Sequence, residues 1–496
     1  MSKNDRRALV EVADASTMMN SIERTLIALL LLCGVLGASG ASAQQPAGEP
    51  TLAQAGDLAV DQGGRPSPAT ADHPSQNTDV KTKKTKKKKK KELEPDAAED
   101  VGTKSPKHPT LHVGDALTLD VTGRIETDAR MATNAIGLDQ PQLDWQDRRI
   151  GIKGAVFKKI TFELSRELGK DFEESTGLSE KTAWRDAYVN VRVTKGFGVE
   201  AGHFKLPFGY EELTGETKLD FAHRSLAARV LSPGRDPGVM AHGRLFDRRV
   251  EYQAGYFTRD GSNARTDQTE GGHDSLAARV VVMPFAADPP RAIDSLQIGI
   301  AAADSRLENQ LGIRGRTALG DGVFFDRMYV NGQRRRIGLE AAWANGPVSL
   351  SSEYITLSDE RKGMGFSGDD LPSIAAQAWY LAGTWALTGE RKHGRLEPGH
   401  DLGRGGIGAF ELAARVEALR FNSVGYPGSP FGFPSGAKLG TNADHVTTIG
   451  VNWYVNRYVK LQNNIIFESI EDAERSPAPS TGGRFTSAVF RIQFRL

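Results

Sequence analysis

The sequence predicts an all-β protein: a transmembrane antiparallel β-barrel of about 16 strands, preceded by a signal peptide and a disordered basic linker. Three observations predict it. Apolar residues recur at every second position from Thr110 to Leu496. Charged residues fill many of the alternate positions, and an export signal opens the chain. Hydrophobic residues make up only 39% of the 496, which excludes a polytopic helical membrane protein. The formal net charge of +1 gives no basis for nucleic-acid binding. The one cysteine, Cys33, excludes a disulfide framework, a CxxC redox pair and a thiolate zinc site.

The leader comes first. Leu26 to Ala38 is an unbroken apolar and small run, preceded by Arg24 and followed by Ala41-Ser42-Ala43. A basic flank, a short apolar core and an A-x-A site describe a signal peptide over residues 1–43. The run is shorter than the roughly 20 residues of a membrane span, so a signal anchor is the rival reading. The polar, acidic stretch Met1 to Thr17 makes Met18 or Met19 a candidate start. Cleavage after Ala43 removes Cys33.

Residues 44–109 hold Pro, Ala, Gly, Gln, Asp and Lys with little to bury, and are expected to be a disordered periplasmic linker. Nine lysines stand among the eleven residues from Lys81 to Lys91. In a cytosolic chain this would suggest nucleic acid. Behind an export signal it reads instead as a solvated linker, or as a charge contact with an anionic wall polymer or lipid headgroup.

The strands follow. Ile160, Phe162 and Leu164 alternate with Thr161 and Glu163, and Val189, Val191 and Val193 with Asn190 and Arg192. Val250 to Tyr256, Leu296 to Ile300, Ile337 to Trp343, Ile449 to Val455 and Val459 to Phe467 obey the same rule. Each segment therefore has one apolar and one polar face. Turns such as Lys195-Gly196, Asp260-Gly261 and Gly389-Glu390 separate them. A soluble sandwich would bury the apolar face, whereas a membrane barrel turns it to lipid. Export, the absence of a domain-scale break over 387 residues, and full charges at Arg124, Arg192, Arg244, Arg279 and Arg415 favour the barrel, with those charges in a wet lumen. At roughly 24 residues per strand with its share of loops, 387 residues give about 16 strands. Phe490, Ile492, Phe494 and Leu496 alternate to the end of the chain like a closing strand.

Several stretches resemble the phosphate-selective porin O/P family of Gram-negative outer membranes. They are Arg148-Arg149-Ile150-Gly151-Ile152-Lys153-Gly154, Trp184-Arg185-Asp186-Ala187-Tyr188-Val189, and Gly202-His203-Phe204-Lys205-Leu206-Pro207-Phe208. His223 to Leu226, Ser232 to Val239, Ala378 to Tyr380, Leu387 to Glu390, Phe410 to Arg415 and Gly450 to Tyr454 continue it in order. His203 replaces the family's usual Gln. The resemblance implies an outer-membrane homotrimer of barrels, each pore narrowed by infolded loops and passing phosphate-like anions by diffusion.

Anion preference must then come from placement. The residues from Thr110 onward carry 47 basic and 48 acidic side chains. Between Asp220 and Arg336, however, stand 17 arginines, no lysine and 14 acids. Arginine suits phosphate because its planar fork donates two parallel hydrogen bonds and stays charged. Rings of Arg or Lys are one way anion pores discriminate. Arg224, Arg229 and Arg235, on the non-alternating stretch Phe221 to Asp236, are the candidates for an inward-folding constriction. Arg244 and Arg279 would extend a ladder along the wall, with Lys205 a weaker member. Arg334-Arg335-Arg336 reads as a solvated strand mouth or a lipid-headgroup contact. Glu211-Glu212 reads as loop charge. No catalytic constellation, metal site or cofactor motif stands out, so an enzyme is not expected. A general or organic-solute porin, or an envelope-anchoring barrel with a basic tether, is the alternative function.

Overall fold

The computed structural model describes residues 109–114, 116–133, 141–168, 184–262, 272–286, 292–320, 322–392, 394–423, 440–476 and 483–496. The signal peptide over 1–43 and the linker, with its Lys81 to Lys91 run, lie outside the described residues, save Pro109 at the linker's end.

Sixteen strands close into one antiparallel barrel. The first nine are β2 (Leu117–Thr133), β3 (Gln142–Val156), β4 (Ile160–Glu167), β5 (Trp184–Arg192), β6 (Gly198–Lys205), β7 (Arg235–Leu245), β8 (Val250–Phe257), β9 (Gly272–Val282) and β10 (Gln297–Leu311). The other seven are β13 (Tyr329–Asn345), β14 (Val348–Arg361), β15 (Leu371–Ala386), β16 (Ala409–Ser423), β17 (Asn442–Tyr454), β18 (Val459–Ile470) and β19 (Arg484–Arg495). Each pairs with the next, and β19 returns to β2 from Arg495↔Arg124 to Thr486↔Thr133. Closure leaves no open edge, which an apolar bilayer demands. A short strand β1 (Thr110–Val113) pairs with the start of β2, below the point where β19 ends. A hairpin of β11 (Gly315–Arg316) and β12 (Val323–Phe325) lies in the β10–β13 connection.

The predicted alternation sorts the faces. Ile150, Ile152, Val189, Ile298, Ile300, Ile337, Leu339 and Ile465 are exposed on the outside. On the closing strand Phe490, Ile492 and Phe494 point outward, while Val489, Arg491 and Gln493 are buried.

The inside departs from expectation. On β14 to β18 the inner face is itself apolar over much of its height: Ile355, Leu357, Ile374, Ala376, Leu419, Val446 and Ile466 are buried. The cause is the connection 206–234, which folds into the barrel and lays Leu206, Phe208, Phe221, Leu226 and Leu231 into one core with these wall residues. Its π-helical turn, Ala227–Leu231, lies against β14 and β15. The 312–328 connection adds Ile313, Phe324 and Phe325, and Phe325 stacks on Phe421 with ring centroids 4.3 Å apart. Charged neighbours of outward residues therefore do not all face water. Gly338 leaves room for Phe208, since a Cβ there would stand 3.1 Å from its ring. Gly261 adopts φ +91° directly against the Pro233 carbonyl, where a Cβ would sit 2.0 Å from the oxygen.

A loop inside a barrel must find partners for its backbone away from water. The wall supplies them. Glu353 on β14 accepts from the amides of Tyr210 (2.7 Å) and Glu211 (2.9 Å). Glu417 on β16 accepts from Leu226 N (2.5 Å), and Asn464 on β18 from Ala222 N (2.7 Å). Lys460 on β18 donates to Leu219 O at 2.6 Å, and Asn452 on β17 to Asp220 O at 2.8 Å. The loop is thus fastened to one side of the barrel, β14 to β18.

Leu226 is fully buried in the shared core, so Leu226→Ala should cost about 2–5 kcal/mol. Heat unfolding in detergent should show a lowered transition, and single-channel conductance should rise as the loop loosens.

Candidate functional site

Space remains on the side that the loop does not fill. One cavity of about 460 Å³ is bounded by residues of β2 to β9, by loop residues Pro207 to Lys218, and by Arg495 and Leu496. A second, of about 490 Å³, lies between loop residues Tyr210 to Phe221 and the short-turn ends of β10 and β13 to β15. Both touch Leu213, Gly215, Lys218 and Arg279, so loop segment 213–218 stands between them. The first cavity is lined by eight Lys and Arg side chains against five Asp and Glu side chains.

Of the six expected residues, three reach this cavity: Lys205, Arg235 and Arg279. Arg235 opens β7 and forms a two-pronged pair with Asp186, at 2.9 and 3.1 Å. Arg279 is held by Glu340, with its Nε 3.0 Å from Oε2. The Lys205 ammonium bonds the Glu212 carbonyl and stands 3.6 Å from its carboxylate. The other three are not brought to the cavity wall. Arg224 lies behind it, bound to the Glu211 and Thr214 carbonyls and to Glu216 at 2.8 Å. Arg229 joins the two inserted loops by donating to the Thr317 carbonyl. Arg244 pairs with Glu251 at 2.9 Å.

Three expectations need correction. Arg334 and Arg336 are buried inside the barrel, and only Arg335 faces outward, 63% exposed at its side chain. Alternation on β13 forces this split. Arg334 makes three hydrogen bonds, to Asp359 at 2.6 and 2.7 Å and to Asp260 at 2.7 Å. Arg336 makes no hydrogen bond to any described residue. Glu211 and Glu212 are buried rather than solvated loop charges, because the loop carries them inward. Glu211 meets Arg415, whose guanidinium also bonds Glu417 at 2.9 Å and lies 4.5 Å from the Phe221 ring centre. Arg415 is thus in the packed core, not in a wet lumen.

Sequence reasoning put Arg124 in the lumen but named neither it nor Arg149 as a constriction candidate. On β2 and β3, both line the first cavity. Arg124 pairs with Asp147, and Arg491 on β19 with Asp128 at 2.6 Å and Glu126 at 3.1 Å. The signal was present: Arg124, Glu126, Asp128 and Arg130 share one face of β2. The inward contacts of the connection 387–408 were missed as well. It carries Lys392 to Asp220 and Glu411, and Arg395 to Gln493 (2.8 Å). Burial works against the Lys392 charge, but Asp220, Tyr454 and Glu411 outweigh it and raise its pKa well above the usual lysine value. Among the described residues no His, Cys, Asp or Glu group is arranged to hold a metal ion.

A closed sixteen-strand barrel with an apolar exterior, an infolded loop and a charged interior cavity defines a porin. The family model for "Phosphate-selective porin O and P" matches residues 119–496, more than half of the chain. The chain belongs to that family, and so is an outer-membrane channel of Gram-negative type rather than an enzyme. It is 23% identical over 381 residues to Porin O of Pseudomonas aeruginosa, covering 70% of this chain and 80% of that one. Among solved structures, it is similar to in-vitro folded OmpT of Vibrio cholerae at 11% identity and TM-score 0.49. That match covers 78% of this chain and 100% of OmpT. It is also similar to an anion-selective porin of Comamonas acidovorans at 13% identity and TM-score 0.46, with coverages of 77% and 100%.

Lys392→Met leaves buried Glu411 and half-buried Asp220 without their cation, and should cost about 3–5 kcal/mol. Thermal unfolding in detergent should show the loss, and adding Glu411→Gln should recover part of it.

Proposed function

We propose that this porin passes small inorganic anions of the phosphate class by passive diffusion, through a constriction formed by Arg and Lys, and that it assembles as a homotrimer. One observation carries the reading. The chain from Thr110 onward has one more acid than base, yet the cavity has three more bases than acids on its wall. A local excess of guanidinium in a narrow, partly desolvated passage favours anions over cations. Arg124, Arg149, Arg235 and Arg279 are spaced around it, and several shallow sites suit release better than one deep site. The family name, phosphate-selective porin O and P, agrees with a phosphate-like cargo. On the same reading residues 1–43 direct export, residues 44–109 hang in the periplasm, and the outer belt meets outer-membrane lipid. Whether Lys81 to Lys91 touches a wall polymer is separable by deletion, which leaves conductance intact on this account.

The rival is a general porin, favoured by the carboxylate partners that Arg235 and Arg279 carry. Reversal potentials in planar bilayers under a KCl gradient separate the two. The expected result is a chloride-favouring potential that Arg235→Gln reduces several-fold in permeability ratio, with chloride current that falls as phosphate is added. A cation-favouring or non-selective wild-type value would remove the anion claim.

A further inference from the structure

The cavity that gathers cations also holds an acid, paired with Arg224 behind its wall. Glu216 opens the 3-10 turn Glu216–Lys218, within the loop segment between the two cavities. Its side chain is 29% exposed and lines the 460 Å³ cavity. Its Oε1 accepts from Arg224 Nη2 at 2.8 Å and Nε at 3.2 Å. Burial pulls the carboxyl pKa up, but Arg224, Arg124 and Lys205 outweigh it and hold it well below the usual carboxylate range. The group is therefore an anion whenever the pore works. Arg185, Arg235 and Arg491 also feel its charge. Most of these cations have another acid in contact: Asp147 for Arg124, Asp186 for Arg235, Asp128 for Arg491 and Glu212 for Lys205. Arg224 has two backbone carbonyls besides.

We propose that Glu216 is a tethered competitor for the permeating anion: it faces the cavity whose wall carries eight Lys and Arg side chains, and an oxyanion of the phosphate class must share those cations with it to pass. This rests on the anion-pore reading above. The device has a physical purpose. A ring of unopposed guanidinium would hold a divalent anion too long, and conduction needs binding weak enough for release. A carboxylate on a loop supplies that opposition without entering the permeating stream.

The test compares Glu216→Gln and Glu216→Asp with wild type in planar bilayers, reading block of chloride current by added inorganic phosphate. Removing one unit charge from the cavity wall should lower the half-blocking phosphate concentration roughly tenfold in the Gln variant. The Asp variant, which keeps the charge, should stay within about twofold of wild type. Sulfate, as a second divalent probe, should follow phosphate. If Gln and Asp alike raise conductance for every anion, Glu216 is only a brace for Arg224 and the proposal fails. It fails too if Gln leaves block unchanged or weaker in a channel that remains anion-selective. A wild-type channel without anion selectivity overturns the earlier reading instead, and is visible before any variant is made.

Discussion

A barrel of sixteen strands is too wide for its own side chains to fill. Closure satisfies every strand's backbone, but it encloses a space that must be either water or protein. This chain divides the space. One connection, 206–234, enters the barrel and packs onto β14 to β18, with the 312–328 connection beside it, and the remainder becomes the polar passage. Position of the loop therefore decides where solutes can go. A loop fastened to the other wall would leave a different set of arginines facing water.

The fastening uses two interactions of different kind. Apolar contact among Phe208, Phe221, Leu226, Leu231 and the wall supplies the bulk of the cohesion. Polar side chains of the wall then satisfy the loop's backbone at fixed points, through Glu353, Glu417, Asn464 and Lys460. Buried ions such as Arg415 with Glu417 and Lys392 with Glu411 contribute little net stability against their desolvation, but they set register, because losing one partner strands the other. The same carboxylates that would obstruct anion passage in an open lumen are here turned into anchors, buried away from the cavity. That segregation lets a barrel of nearly balanced charge line its cavity with more bases than acids.

Fold class, strand number and closing strand were legible because alternation with period two is a property of local sequence. So was the inward fold of the loop, since Phe221 to Asp236 breaks the alternation. What the loop would cover was not legible. Ile355, Ala376, Leu419 and Val446 look the same in sequence whether their inward partners are water or Leu226. Arg334 and Arg336 were misjudged because three consecutive arginines look like a solvated cluster, although a strand must send the outer two to the same face. The candidates centred on residues 220–336, where arginine is dense. The cavity also draws on β2 and β3, far away in sequence and adjacent only once β19 closes on β2. Lys392 and Arg395 come from a turn whose inward path no local pattern announces.

The most direct measurement is accessibility of the two walls to a charged, water-soluble thiol reagent. Cys33 is the one cysteine of the sequence, so in a Cys33→Ser background single introduced thiols report cleanly. A cysteine at Asn190, which lines the cavity, should react and reduce the current through the channel. A cysteine at Ala376, buried beneath the inserted loop, should stay unreactive in the folded barrel and react after denaturation. Equal reactivity at both positions would mean that water reaches the whole inner wall, and would contradict the division of the barrel on which this account rests.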